Sequence, residues 1–414
     1  MKGEIMLKLR HIKMISLLLF AIWLTGCGSM IVNEPNPPMP KKEEMKKAKQ
    51  QKTIPEKKPE IKPEVEQTLP VPGEMADPQV VFADIDKLLA EMSLAEKVGQ
   101  MFLVRCPELK AVEEAQKYQF GGYVLFGIDF KDKSKDQVVA MIAGYQGVAK
   151  IPMWIAVDEE GGMVNRVSRN PNLRLTPFAS PRMLYENGGF DRIKNDTREK
   201  AELLKSLGIN LNLAPVCDIP EKKDDFIYER AIGTDPALVE EYVTQVVNTM
   251  NEQKMASALK HFPGYGNNID THTELAYDQR PLENFKKRDF LPFMAGIKNG
   301  ASAIMVSHNI ITQVDDKMPA SLSPAVHQLL RKDLAFKGVT ITDELAMEGV
   351  KKLMTDEEIA IQAILAGNDM LCTTAYASQI PAVIEAVESG RIKLEVIDQA
   401  VRRILLWKQS FMKI

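Results

Sequence analysis

The chain has 414 residues, 45% of them hydrophobic and 26% charged, with a formal net charge of −3. That length can bury a sizeable core in one large domain or two ordinary ones. No basic surplus exists to neutralise phosphates, so no nucleic-acid partner is expected.

Residues 1–26 read as a signal peptide rather than as part of the fold. Lys2, Lys8, Arg10 and Lys13 precede an apolar run from Met14 to Leu24, too short to span a bilayer comfortably. The run ends in Leu24-Thr25-Gly26-Cys27, which resembles a bacterial lipobox and implies cleavage before Cys27 with lipidation of its thiol. A plain uncleaved anchor is the other reading. Both place the remainder on the extracytoplasmic face of the cell membrane. Residues 27–77 read as the lipidated cysteine and a disordered tether. Ten of the 24 prolines fall between Pro35 and Pro78, interleaved with Lys and Glu, and few apolar residues are available for burial. In the polyproline limit this tether would reach on the order of 150 Å.

Beyond Cys27 the cysteines are Cys106, Cys217 and Cys372, an odd number without metal-ligand spacing, and each is expected as an isolated buried thiol.

From residue 78 to 414, short apolar runs alternate with helical stretches. The runs are 101–104, 122–126, 153–157, 210–216, 256–259, 303–306, 339–342 and 369–371. Apolar at nearly every position, they suit strands buried on both faces of a parallel sheet. Between them, Ser93-Leu94-Ala95-Glu96 and Thr355-Asp356-Glu357-Glu358 read as capping boxes, the second opening a helix that ends near Gly367. Asp235-Pro236 and Ser323-Pro324 each place a capping residue before proline at the first helical position. Eight strand–helix units predict an α/β fold, a (β/α)8 TIM-type barrel forming a single catalytic domain; a doubly wound open sheet has the same periodicity.

In a barrel the active site lies at the C-terminal ends of the strands. Asp158 and Glu160 follow the third run, Asp218 the fourth, Lys260 and His261 the fifth, His308 the sixth and Asp343 the seventh. His272 lies in the loop after the fifth run, and His327 in an outer helix, where a surface position is expected. Carboxylates, histidines and cations converging on one mouth suit acid/base and covalent chemistry on a neutral polar substrate. A metallohydrolase could ligate an ion with His261, His308 and Asp343, but Arg105-Cys106 stands where such barrels usually carry His-x-His, and no metal is expected.

The segment Lys260-His261-Phe262-Pro263-Gly264-Tyr265-Gly266, followed by Asp270-Thr271-His272, resembles glycoside hydrolase family 3, in its β-N-acetylglucosaminidase branch. Further matching segments are Asp158-Glu159-Glu160-Gly161-Gly162, Leu213-Ala214-Pro215-Val216-Cys217-Asp218, Met305-Val306-Ser307-His308 and Thr342-Asp343-Glu344-Leu345-Ala346-Met347. The resemblance implies a carbohydrate substrate, no cofactor, and a retaining mechanism with Asp343 as nucleophile. It further implies that His272 is the acid/base, supported by Asp270. Asp158, Arg166, Arg230, Lys260 and His261 would bind the sugar, with His308 and Asp218 orienting this set. Met163 stands where an arginine is common, Tyr265 where a histidine is common, and the loop before Asp270 is one residue shorter. With Ile414 soon after the last barrel helix, no second domain is expected to supply an acid/base, so the loop histidine would serve. A β-glucosidase, a phosphorylase of the same family and a non-catalytic sugar-binding lipoprotein are the competing readings.

Overall fold

The computed structural model describes residues 78–269 and 275–414. The segments read above as signal peptide and tether, with Cys27, and the loop residues Asp270 and His272 therefore lie outside the described residues.

Eight parallel strands form the core: β1 Phe102–Arg105, β2 Gly122–Leu125, β3 Trp154–Val157, β4 Leu211–Asn212, β5 Ala256–Phe262, β6 Ala303–Val306, β7 Val339–Thr342 and β8 Leu371–Thr373. Neighbours in sequence pair in order from β1 to β7, and β8 returns to β1 in the register Phe102↔Leu371. A parallel bridge between Ile341 and Met370 joins β7 to β8, closing the ring into a barrel. Every residue of β2, β3, β5, β6 and β7 is buried, as side chains from an all-parallel sheet must be when helices cover the outside. Each fully buried Val, Leu, Ile or Phe contributes roughly 1.5–3 kcal/mol relative to exposure, so these short strands carry much of the stabilisation.

The helix starts follow their capping chemistry. Ser93 accepts from the Glu96 N–H while the Glu96 carboxylate returns to the Ser93 N–H, a complete capping box. Asp235 and Ser323 cap helices that open with proline. Thr355 caps its helix through the Glu358 N–H, but the Glu358 carboxylate pairs with Arg391, so this box is only half formed. The helix ends at Gly367 in the left-handed region, φ +117°. Across the bottom, Leu394–Phe411 packs on Pro78–Glu91 and Leu94–Gln100, with the Trp407 and Trp154 rings 4.1 Å apart.

Three strands depart from the expected runs by two residues or more, and one histidine is placed differently. The fourth strand shrinks to two residues because the Ala214 N–H turns back to the Asn212 carbonyl and Pro215 has no N–H to donate; pairing resumes only at a Val216–Lys260 bridge. The fifth runs on through Lys260, His261 and Phe262, since backbone pairing is indifferent to the polarity of side chains aimed into the mouth. The eighth begins at Leu371, because Asp369 and Met370 spend their N–H groups on Thr340 of β7. His327 is buried, at 3% exposure, where a surface position was expected. Its helix, Pro324–Gln328, lies between the turn at 320–322 and the helix Asp356–Ala366. Burial lowers the His327 pKa to about 4, keeping it neutral.

Candidate active site

A cleft of about 1150 Å³, open to solvent, sits at the C-terminal ends of the strands. Its polar lining comprises Asp158, Glu160, Arg166, Arg230, Lys260, His261, Asp343 and Glu344. Phe126, Met163, Phe226 and Met305 are among its apolar walls.

The segment after β3 is organised around Glu159, which points away from the cleft. Its carboxylate accepts the N–H groups of Arg166, Val167 and Ser168 and the Ser168 hydroxyl. Asn212 of β4 meanwhile pairs with both the N–H and the carbonyl of Glu159. These bonds fold residues 158–168 into a fixed loop that turns Asp158, Glu160 and Arg166 inward. Gly161 is required in this turn: its φ is +103°, and a Cβ there would lie 2.2 Å from the Ala179 carbonyl oxygen.

Lys260 and His261 are adjacent in β5, where alternation would send one of them outward. A register shift between Leu259 and Phe262 against β6 breaks the alternation, and both line the cleft. Lys260 Nζ lies 2.6 Å from both Asp158 Oδ1 and Glu160 Oε1. Arg230 then binds Glu160 through two nitrogens, at 3.0 and 2.7 Å, and reaches His261 Nε2 at 3.1 Å. On its other side, His261 Nδ1 lies 2.7 Å from Asp218 Oδ2. A guanidinium only donates, so Nε2 is the acceptor and the imidazole proton sits on Nδ1, donated to Asp218. The result is a continuous chain: Asp158, Lys260, Glu160, Arg230, His261, Asp218.

Burial favours the neutral forms of Glu160 and Lys260, and their neighbours oppose it. For Glu160, burial raises the pKa, but Arg230 and Lys260 together hold the carboxyl well below the usual carboxylate range. For Lys260, burial pulls the ammonium down while Asp158 and Glu160 more than reverse that. Charged groups are thus kept charged in a dry wall.

Arg230 is delivered by the loop after β4. Arg182 donates to the carbonyls of Tyr228 and Ala231 and stacks 3.6 Å over the Tyr228 ring, fixing the backbone on either side of Arg230. Arg166 sits with its guanidinium carbon 5.1 Å from the Phe126 ring, whose neighbour on the ring is Arg105 at 4.6 Å. Among the described residues, Arg166 Nε is buried without a hydrogen-bond partner. An oxygen of a bound polar ligand would relieve that cost.

Asp343 stands at the end of β7, its N–H on the Val306 carbonyl and its Oδ1 accepting the Glu344 N–H. Glu344 turns to the N–H groups of Ala346 and Thr374, and burial raises its carboxyl. His308 lies beneath: Nε2 donates to the Glu344 carbonyl at 3.0 Å and Nδ1 meets the Ser321 hydroxyl at 2.7 Å. With both nitrogens of His261 and of His308 engaged, neither presents a lone pair to a metal ion.

Asp158, Arg166, Arg230, Lys260, His261 and Asp343 therefore meet around one cleft, while Asp218 holds His261 from behind and His308 holds the Glu344 carbonyl next to Asp343. The three cysteines are free and buried; Cys372 lines the cleft floor, where burial pushes its thiol well up. Sequence reasoning gave no role to Glu160, the hub of the charge chain, although its place two residues after Asp158 at a strand end was the available signal. The aromatic lining by Phe126 and Phe226 carried no such signal. Tyr265, 1% exposed, packs edge-on to His261 at 5.3 Å and beside Phe226 at 5.6 Å.

A closed (β/α)8 barrel with carboxylates, an imidazole and cations around its C-terminal mouth defines a polar-ligand hydrolase site. Residues 93–406 match the glycosyl hydrolase family 3 N-terminal domain, and the chain belongs to that family of glycoside hydrolases. It is 33% identical over 303 residues to a beta-hexosaminidase of Photobacterium profundum, covering 72% of this chain and 87% of that one. A beta-hexosaminidase of Xanthomonas campestris is 34% identical over 246 residues, covering 58% and 73%. Among solved structures, it is similar to a family 3 beta-N-acetylglucosaminidase from Paenibacillus, with a TM-score of 0.72 and 31% identity. That match covers 77% of this chain but 62% of the Paenibacillus chain. A beta-N-acetylhexosaminidase from Beutenbergia cavernae matches at 0.70 and 26%, covering 77% and 99%.

Proposed function

We propose that the chain is a retaining exo-β-N-acetylglucosaminidase. The observation that carries this reading is the position of Asp343: a carboxylate at the end of β7, in a cleft walled by the Asp158–Lys260–Glu160–Arg230–His261 chain. The names of the relatives support the N-acetylglucosaminyl part.

In the first step a carboxylate oxygen of Asp343 attacks the anomeric carbon while the bond to the leaving oxygen breaks. His272 gives that oxygen its proton, and a glycosyl ester of Asp343 results. In the second step His272 takes a proton from water, the water oxygen attacks the same carbon, and Asp343 leaves as carboxylate. Two inversions return the β configuration. In this reading Asp270 is the carboxylate that supports the His272 imidazolium. Asp158, Lys260, His261, Arg230 and Arg166 hold the sugar hydroxyls, and the charge chain keeps those donors and acceptors aligned before the substrate arrives.

The natural substrate we propose is a β-GlcNAc-terminated fragment of peptidoglycan or a related glycan. The lipid anchor proposed at Cys27 and the spacer after it would hold the enzyme near such a substrate, outside the cytoplasm.

The test compares hydrolysis of 4-nitrophenyl N-acetyl-β-D-glucosaminide by wild type, Asp343→Ala and His272→Ala. Turnover by wild type, abolished in Asp343→Ala and strongly reduced in His272→Ala, is expected. Turnover of the glucoside alone would make it a β-glucosidase, and release of glycosyl phosphate in phosphate buffer would make it a phosphorylase. Binding without turnover of either would leave a sugar-binding protein.

A further inference from the structure

Behind the cleft, at the foot of the segment that follows β5, lies a second ion cluster with no part in the chain of charges above. Arg280 binds Asp278 through Nε at 3.0 Å and through a terminal nitrogen at 2.7 Å. Its other terminal nitrogen binds Asp289 at 3.0 and 3.1 Å. Both carboxylates are almost completely buried, Asp278 at 2% and Asp289 at 1% exposure. The guanidinium also lies over the Phe285 ring, 4.3 Å from its centre. Two anions and one cation out of water form an expensive arrangement, since apolar residues of the same volume are often as stabilising or better. Such a cluster is accounted for when it fixes a geometry.

What it fixes is visible in its remaining contacts. On the incoming side of the segment, Arg280 donates to the Gly264 carbonyl at 3.4 Å, and Asn268 donates to Asp278 at 2.8 Å. Gly264 in turn donates to the carbonyl of His261, the cleft residue three positions earlier. Gly266 has φ +55°, and a Cβ there would sit 2.4 Å from the Arg280 guanidinium, so the backbone lies directly on the ion cluster. On the outgoing side, the Arg280 N–H binds Asp278 at 2.9 Å, and Thr312 holds the Asp278 carbonyl through both its N–H and its hydroxyl. Tyr277–Asp278 pairs with Ile310–Ile311, tying this stem to the loop after β6. One guanidinium thus touches the chain before and after the stretch that contains Asp270 and His272.

We propose that Arg280 is a positioning residue for the acid/base: it clamps the two stems of the loop bearing His272 together, and so sets where that imidazole meets the leaving oxygen. The inference rests on the acid/base reading of His272. Arg280 itself touches no substrate. Arginine suits the task because its planar fork can hold two carboxylates and a carbonyl at once, which a lysine ammonium cannot do in the same geometry.

The experiment measures kcat/KM for aryl N-acetyl-β-D-glucosaminides of graded leaving-group basicity, from 2,4-dinitrophenyl through 4-nitrophenyl to phenyl. Wild type, Arg280→Gln, Arg280→Lys, Asp289→Asn and His272→Ala are compared, each scaled to its folded fraction by circular dichroism. A dinitrophenolate leaves without protonation, whereas phenolate needs the acid. Displacing an acid by about 1 Å costs on the order of 100-fold. Arg280→Gln is expected to lose about that factor on the phenyl substrate and under about threefold on the dinitrophenyl substrate, paralleling His272→Ala. Arg280→Lys and Asp289→Asn, which keep part of the clamp, are expected to fall between. A loss by Arg280→Gln and Asp289→Asn that is equal on every leaving group, or no loss, overturns the proposal while His272→Ala still shows a graded one. A flat loss in His272→Ala removes the acid/base reading itself, and the proposal with it.

Discussion

The Arg230 guanidinium donates to His261 Nε2 across 3.1 Å while Asp218 accepts the hydrogen bond from Nδ1–H, so the imidazole is held between a cation and an anion in one tautomer. Asp218 also accepts the N–H groups of His261 and Tyr265, so both of its oxygens are engaged. Asp218→Asn would present an amide that can donate to Nδ1, turning the ring toward the opposite tautomer, in which Nε2–H confronts Arg230. We predict a loss of about tenfold or more in kcat/KM, mainly through KM, because His261 is assigned to ground-state sugar binding. Michaelis curves for the variant check it; unchanged KM and kcat would dissociate His261 from binding.

Glu160 is the anion shared by Lys260 and Arg230, and its carboxylate is nearly fully buried. Glu160→Gln keeps the volume but leaves Lys260 and Arg230 without the carboxylate they share. Removing one partner of a buried ion pair costs about 3–5 kcal/mol. A urea denaturation curve should show a destabilisation of that order, and a change below about 1 kcal/mol would contradict the account.

These charges explain how much of the site was legible. Strand ends rich in Asp, Lys and His mark the barrel mouth, because such groups fit poorly among apolar strands unless they face a polar ligand. Asp158, Lys260, His261 and Asp343 could therefore be located by position alone. Glu160 was located with them, but its role was not legible: it binds Arg230 while its neighbour Glu159 caps the backbone of residues 166–168, and only the turn at Gly161 separates the two. Likewise, the bulge in β5 that brings Lys260 and His261 to one side has no local signature, since it depends on the register with β6. His327 was misplaced because a five-residue helix has too few turns for periodicity to separate a buried face from an exposed one.

His327 makes a pH prediction. Its folded pKa, lowered by burial to about 4, lies below the ordinary imidazole value of 6.5, so the unfolded chain binds the proton more tightly. The stability contribution is complete above pH 6.5 and is lost as pH falls toward 4, a span worth about 3 kcal/mol. In His327→Gln this component vanishes. The difference in unfolding free energy between wild type and variant should change by about that amount between pH 6.5 and 4. A constant difference across the window would show that the imidazole does not titrate on unfolding.

The central claim is that Asp343 forms a covalent bond to the sugar. The direct measurement is peptide mass spectrometry after incubation with 2-acetamido-2-deoxy-5-fluoro-β-D-glucopyranosyl fluoride, whose ring fluorine slows both steps and whose good leaving group favours accumulation of the ester. The account predicts one added glycosyl group per chain, on the peptide containing Asp343 and fragmenting to that residue, absent in Asp343→Ala. A glycosyl group on another carboxylate, or turnover of the 4-nitrophenyl substrate by Asp343→Ala, would contradict it.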